Sequence, residues 1–180
     1  MFRSTCLVAL VFAMATPAVH AQGKAAPAAP SADECAVWQR EMDFAATVER
    51  HDAKAFGEFV HPGAVFHASS PRAQRGRDAV LRHWASIIDG SALKLQWYPT
   101  HVAIGGEGDI AYSSGPALYE STDPKALQGA SLGAFQSVWH KGADGTWRVL
   151  FDDGIEPKPA TDADVAAFRA NRKPCPRAMR

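Results

Sequence analysis

Residues 130–152 read ASLGAFQSVWHKGADGTWRVLFD, and this stretch decides the fold. A strand over 130–141 ends at His140-Lys141, Gly142-Ala143-Asp144-Gly145 supplies hairpin-turn residues, and Trp147–Asp152 forms the next strand. In the second strand Trp147, Val149 and Phe151 alternate with Arg148, Leu150 and Asp152, the period of two that a pleated chain requires. Working backwards, residues 110–121 (IAYSSGPALYES) form another strand, preceded by a turn over 105–109. Earlier still, Leu93, Leu95 and Trp97 alternate with Lys94, Gln96 and Tyr98 in a strand predicted to run on through Pro99 to Ile104.

Upstream of these hairpins the period changes to that of helices. Cys35, Trp38, Met42, Ala45 and Val48 lie on one face of a helix predicted over 33–50, with Asp33 as its N-cap. Asp52 is placed to cap a short helix over 53–60, and His61-Pro62-Gly63 breaks it. A short strand follows over 64–68. Then comes a loop, and Val80, Leu81, Trp84, Ile87 and Ile88 predict a third helix over 77–89. Beyond the last strand, Thr161 and Asp164 open a C-terminal helix that Pro174 stops. The result is one α+β domain, with helices on one side of a strongly curved antiparallel sheet.

The N-terminus has the layout of a secretory signal. Arg3 precedes an uncharged apolar run over 6–18, and Val19-His20-Ala21 fits a signal-peptidase site, so residues 1–21 are expected to be removed. The run is shorter than the roughly 20 residues of a spanning helix, and no cysteine follows it to carry a lipid. Residues 22–32 are rich in Ala and Pro and read as a flexible leader. Cleavage removes Arg3 and no acid, leaving 18 basic against 19 acidic residues. Such a balance, with no basic block, argues against nucleic-acid or anionic-membrane binding. Cys6 leaves with the signal. Cys35 and Cys175 remain, and in a periplasmic or extracellular setting an even pair favours a disulfide over two free thiols.

Several pieces of this chain, taken in order, carry a resemblance: His51-Asp52 with Phe56, Ala64-Val65-Phe66, Gly76-Arg77-Asp78-Ala79-Val80 with Trp84, and Gly108-Asp109-Ile110-Ala111-Tyr112 through Gly115. Val138-Trp139-His140-Lys141, Asp144 through Val149, and Asp152 complete it. Over about residues 36–157 the sequence resembles the nuclear transport factor 2-like superfamily, also called cystatin-like or SnoaL-like, and within it the bacterial domain of unknown function 4440 type. The resemblance places the domain at 33–157, followed by a C-terminal extension over 158–180 with a short helix. It implies a cone whose sheet and helices enclose an apolar pocket, and a homodimer paired through the open sheet face. The fold hosts isomerases, cyclases, dehydratases and pure binding modules, so function has to be argued from the site.

Asp152 is the carboxylate expected to act if the pocket is catalytic, because an apolar setting raises a carboxyl pKa toward neutrality. Asp153 is its neighbour, and a regular strand points it the other way. His67, expected on the strand face of Val65, is the candidate proton shuttle. Tyr112, Ser114 and Gln136 are candidate hydrogen-bonding groups for a ligand, and Trp84, Trp97 and Trp139 candidate pocket walls. Asp109 and Asp144 fall in turns, where Asp serves the backbone. No HExxH, CxxC, GxSxG or Gly-rich phosphate motif is present, so no metal site or cofactor is expected. The favoured role is a module that binds a small apolar molecule or dimerises. The alternative is an acid–base enzyme using Asp152. Convergent polar groups inside the cone, one of them a buried carboxylate, separate the second from the first; a pocket filled by its own Trp and Phe side chains speaks against it.

Overall fold

The computed structural model describes residues 29–176 apart from 124, 127 and 128. The expected signal peptide and most of the expected leader lie outside the described residues. Helix α1 spans Ala32–Glu49 and begins earlier than the sequence pattern suggests: Ser31, not Asp33, is its N-cap. The Ser31 side chain accepts from Glu34 N while the Glu34 carboxylate accepts from Ser31 N, a reciprocal capping box. Helix α2 spans Ala53–Phe59, capped as expected by Asp52, which accepts from Ala55 N at 2.9 Å.

Helix α2 ends just before His61-Pro62-Gly63, as expected, but this triplet is not a loop. It lies inside strand β1, Val60–Phe66, which begins where α2 ends. Pairing of β1 shifts register between Val60 and Val65, so the Pro-Gly pair is absorbed as a bulge, where a missing N–H is tolerated. The two-residue strand β2, Gln74–Arg75, follows, then α3, Arg77–Ile88. The long strand expected from residue 93 is two strands, β3 (Leu93–Trp97) and β4 (His101–Gly105). Both pair with β5 (Ile110–Ser121), β3 with its second half and β4 with its first. The corner between them crosses Gly115 so closely that a Cβ there would stand 2.1 Å from the Tyr98 carbonyl oxygen. Strand β6 is Ala130–Lys141, as read from sequence, and β7 runs from Trp147 to Pro159, past the expected end at Asp152.

The strand order is β2-β1-β7-β6-β5-β3, with β4 also on β5. Neighbours are antiparallel except β1 and β7, which are parallel, so the curved sheet is mixed rather than purely antiparallel. The three N-terminal helices pack on its concave face. Phe44 of α1 is the hub of that core: its ring lies 4.7 Å from Phe56, 5.5 Å from Phe59, 5.4 Å from Trp97 and 6.0 Å from Trp139.

Helix α4, Asp162–Ala170, covers one end of the opposite face and stops at Asn171, before Pro174. Thr161 and Asp164 form its capping box. Phe168 fills a small second core with Tyr98 and Leu118, and Arg169 pairs with Glu120 at 2.9 Å. After α4 the chain returns to the first helix, where Cys175 is bonded to Cys35 and Lys173 O accepts from the Trp38 indole. Among the described residues no helix is long and apolar enough to cross a membrane.

Candidate active site

The site starts from a counting irregularity in β7. Trp139 of β6 pairs with Val149, but Val138 pairs with Phe151, so Leu150 is left unpaired as a bulge. Trp147 and Val149 point to the core. One extra residue then inverts the alternation: Phe151 turns outward and is 40% exposed, and Asp152 turns inward. A regular strand would have presented Asp153 instead.

Inside the cone Asp152 completes a row across the sheet. Ser113 of β5 pairs with Ser137 of β6, which pairs with Asp152 of β7. The Ser137 hydroxyl donates to Asp152 Oδ2 at 2.7 Å. Burial, working against that hydrogen bond and reinforced by the negative charges of Glu41 and Asp153, pushes the Asp152 carboxyl up to about 8. At neutral pH it is therefore largely a neutral acid, able to donate a hydrogen bond.

A cavity of about 90 Å³ opens over Asp152. Its walls include Trp84, Trp97, Leu95 and Phe135, and its polar lining includes Tyr119, His67 and Asp153. Burial and the nearby Asp152 carboxyl both raise the Tyr119 phenol, keeping it protonated. Trp84 is only 8% exposed, and its indole N–H, buried in the protein, has no hydrogen-bond partner among the described residues. A buried donor left unpaired is uncommon.

His67 lies just beyond β1, not in it. It adopts a left-handed backbone (φ 51°), its N–H donates to Asp152 O at 2.8 Å, and its ring lies 5.7 Å from that of His83 at the cavity rim. That backbone is sparsely populated by residues other than Gly, and such strain collects at functional positions. Asp153 is held differently. Burial opposes its charge, but Ser69 N and Gly154 N donate to it and the carboxyl stays below the usual carboxylate range.

Of the residues singled out from sequence, the structure brings Asp152, His67, Trp84 and Trp97 to this cavity. Trp139 is wholly buried one layer deeper. Tyr112, Ser114 and Gln136 are not brought to it: they alternate with the buried Ser113 and Ser137 and so occupy the outer sheet face, where Ser114 pairs with Gln136. The sequence reading named the right strands one residue out of phase. Among the described residues no group of three or more His, Cys, Asp or Glu side chains could hold a metal.

Sequence reasoning missed Glu41. It lies in the middle of the buried stripe of α1, between Trp38 and Phe44, and is 0% exposed. Trp97 Nε1 donates to its Oε1 at 2.7 Å; the Ser113 hydroxyl and Trp139 Nε1 donate to its Oε2 at 2.5 and 2.9 Å. Burial raises its pKa against these hydrogen bonds. The available signal was an acid three residues from an apolar neighbour on either side, on the face that must be buried.

The sequence profile of the SnoaL-like domain matches residues 42–150. This chain belongs to the SnoaL-like family. Solved structures agree with the nuclear transport factor 2-like cone that the SnoaL-like domain implies. A protein of unknown function from Pseudomonas putida KT2440, described as NTF2-like, superposes with a TM-score of 0.58 at 15% identity, covering 75% of this chain and 98% of that one. A nuclear transport factor 2 superfamily protein from Salmonella enterica serovar Typhimurium gives 0.55 at 14% identity, over 73% and 96%. A ketosteroid isomerase-like protein from Erwinia carotovora atroseptica gives 0.54 at 15%, over 69% and 96%. At such identities the likeness is one of fold. No curated protein sequence matches the chain.

Proposed function

We propose that this SnoaL-like domain binds a small, mostly apolar molecule that presents an acceptor oxygen, such as a ketone, in the cavity over Asp152. The observation that carries this reading is a neutral carboxyl on a cavity walled mainly by Trp84, Trp97, Leu95 and Phe135. The protonated carboxyl is a donor, and a carbonyl oxygen is the partner it lacks. Ligand pockets usually measure roughly 300–1,000 Å³, so a cavity of about 90 Å³ takes a fragment-sized molecule or the end of a larger one. The test is a thermal-shift screen of small cyclic ketones against the native protein and Asp152→Asn. Stabilisation of the native protein that changes in the variant supports the reading; no stabilisation by any ketone overturns it.

A second reading is acid–base catalysis of the isomerase, cyclase or dehydratase kind. It is favoured by a carboxyl that titrates near 8 beside Tyr119 and His67, because a group poised near ambient pH both gives and takes protons. Exchange of α-protons of a bound ketone for deuterium, lost in Asp152→Asn, is its signature.

The disulfide supports export, since such bonds persist in oxidising compartments. With cleavage near Ala21 the protein would work in the periplasm or outside the cell, and sequencing the mature N-terminus tests this. The outer sheet face supports a homodimer: Val65, Phe151, Val138 and Tyr112 form a cross-strand row there, and Ile155 is 53% exposed. Sedimentation showing only monomer would sink the dimer.

A further inference from the structure

We infer that Glu41 is a positioning residue of this site, joined across the Ser113–Ser137 pair to Asp152 as one buried acid pair beneath the cavity. The proposal deepens the ligand-binding reading above, and its consequence for a ligand rests on that reading.

The geometry is continuous. Ser113, Ser137 and Asp152 are successive partners across β5, β6 and β7, all on the inner face, and α1 lowers Glu41 onto the Ser113 end. Ser137 donates to Asp152, and its cross-strand partner Ser113 donates to Glu41. Trp139 Nε1 divides its proton between Glu41 Oε2 and Ser113 Oγ, at 2.9 and 3.0 Å, so the Glu41 end is tightly held. Among the described residues neither acid has an ion-pair partner.

Two carboxyls close together without a cation cannot both ionise cheaply, and their protons leave in two steps that belong to the pair. The other ionisable groups facing Asp152 are Asp153 on its own strand, Tyr119 on β5 and His67 beyond β1. Asp153 adds to the repulsion. Tyr119 stays neutral, and His67 lies exposed at the rim. Glu41 is therefore the buried charge from another element that acts on Asp152. Its place is suited to that role because it never meets the ligand: Trp97 stands between α1 and the cavity, bonding Glu41 with its N–H while also lining the cavity.

The experiment is a carbon-13 NMR titration of the side-chain carboxyls in ligand-free protein, native and Glu41→Gln, which keeps size and one acceptor. In the native protein the Asp152 resonance should show two steps. In E41Q it should show one, ending about one pH unit or more below the later native step. An unchanged Asp152 curve in a folded E41Q protein overturns the proposal and leaves Glu41 a structural acid. Ser113→Ala provides the second arm should E41Q not fold: it removes a donor from Glu41 and none from Asp152, so a shift of the Asp152 curve reports the coupling and an unchanged curve in the folded variant overturns it. These titrations need no ligand, so a failed ketone screen would remove the binding reading and leave this one standing.

Discussion

Ser137 and Asp152 are direct partners across β6 and β7, and the serine hydroxyl lies 2.7 Å from Asp152 Oδ2. That is the one hydrogen bond to the Asp152 carboxyl found among the described residues, and it does not offset the loss of water around the carboxyl.

Stability should therefore fall as pH rises. In the unfolded chain Asp152 ionises near its ordinary value of 3.8, and in the fold near 8. Between those values the folded state holds a proton that the unfolded state has released. The contribution of Asp152 is fully present below the ordinary carboxylate range and is lost as pH climbs toward 8. At about 1.4 kcal/mol per pH unit the total reaches several kcal/mol. Urea unfolding at pH 5 and pH 8.5 should show the native protein more stable at the lower pH, with a smaller difference in Asp152→Asn. Greater stability at pH 8.5 would contradict the assignment.

Cys35 and Cys175 close a loop with a sequence separation of 140. Replacing both with Ser should cost about 3–5 kcal/mol, mainly by releasing the unfolded chain. The variant should still fold, since neither cysteine is among the buried residues of the core around Phe44, against which Cys175 only packs. Thermal unfolding of the double variant measures the loss, and the intact mass of unreduced native protein should show no free thiol.

Phe168→Ala should detach α4 selectively. Its ring lies 4.8 Å from that of Tyr98 and buries Leu118, and truncating such a residue costs about 3–5 kcal/mol. Hydrogen exchange should accelerate in α4 and around Leu118 while amides near Glu41 keep their protection. Uniform acceleration would show that α4 and the cone unfold together.

Gly115→Ala should be far more damaging than its size suggests. The added methyl would meet backbone, the Tyr98 carbonyl at 2.1 Å and Thr100 N at 3.1 Å, so the β3–β4 corner must move. A loss of about 3 kcal/mol or more is expected from chemical denaturation.

The residues that read well from sequence are those whose role is local. Asp52 and the Thr161–Asp164 pair cap helices by reaching a few residues along the chain, and the ends of β5 and β6 follow from turn chemistry around 105–109 and 142–145. The pairing of Cys35 with Cys175 followed from compartment and count. What escaped depends on partners far away. His61-Pro62-Gly63 looks like a stop until β7 is available to pair on either side of it. Pro99 looks like a continuation until β5 is seen to serve two strands. Alternation alone does not say which phase faces inward, so in sequence Tyr112, Ser114 and Gln136 read as pocket residues as readily as Ser113 and Ser137 do. Glu41 was passed over because an acid in a helix usually faces water; only Trp97, Trp139 and Ser113, all distant in sequence, make its burial tolerable.

The unpaired Leu150 makes the identity of the buried acid a matter of counting rather than of chemistry. Asp152 and Asp153 are adjacent and identical in type, yet one lies in a water-poor cone as a neutral acid and the other is charged and bonded to Ser69. Deleting the codon of Leu150 would leave Asp152 opposite Ser137, whereas keeping Leu150 and straightening the bulge would turn Asp152 outward and Asp153 inward. Descendants of such a sheet can gain or lose a buried carboxyl without any residue at the site being substituted. Alignments of related chains that do not count through this bulge will match the wrong aspartate.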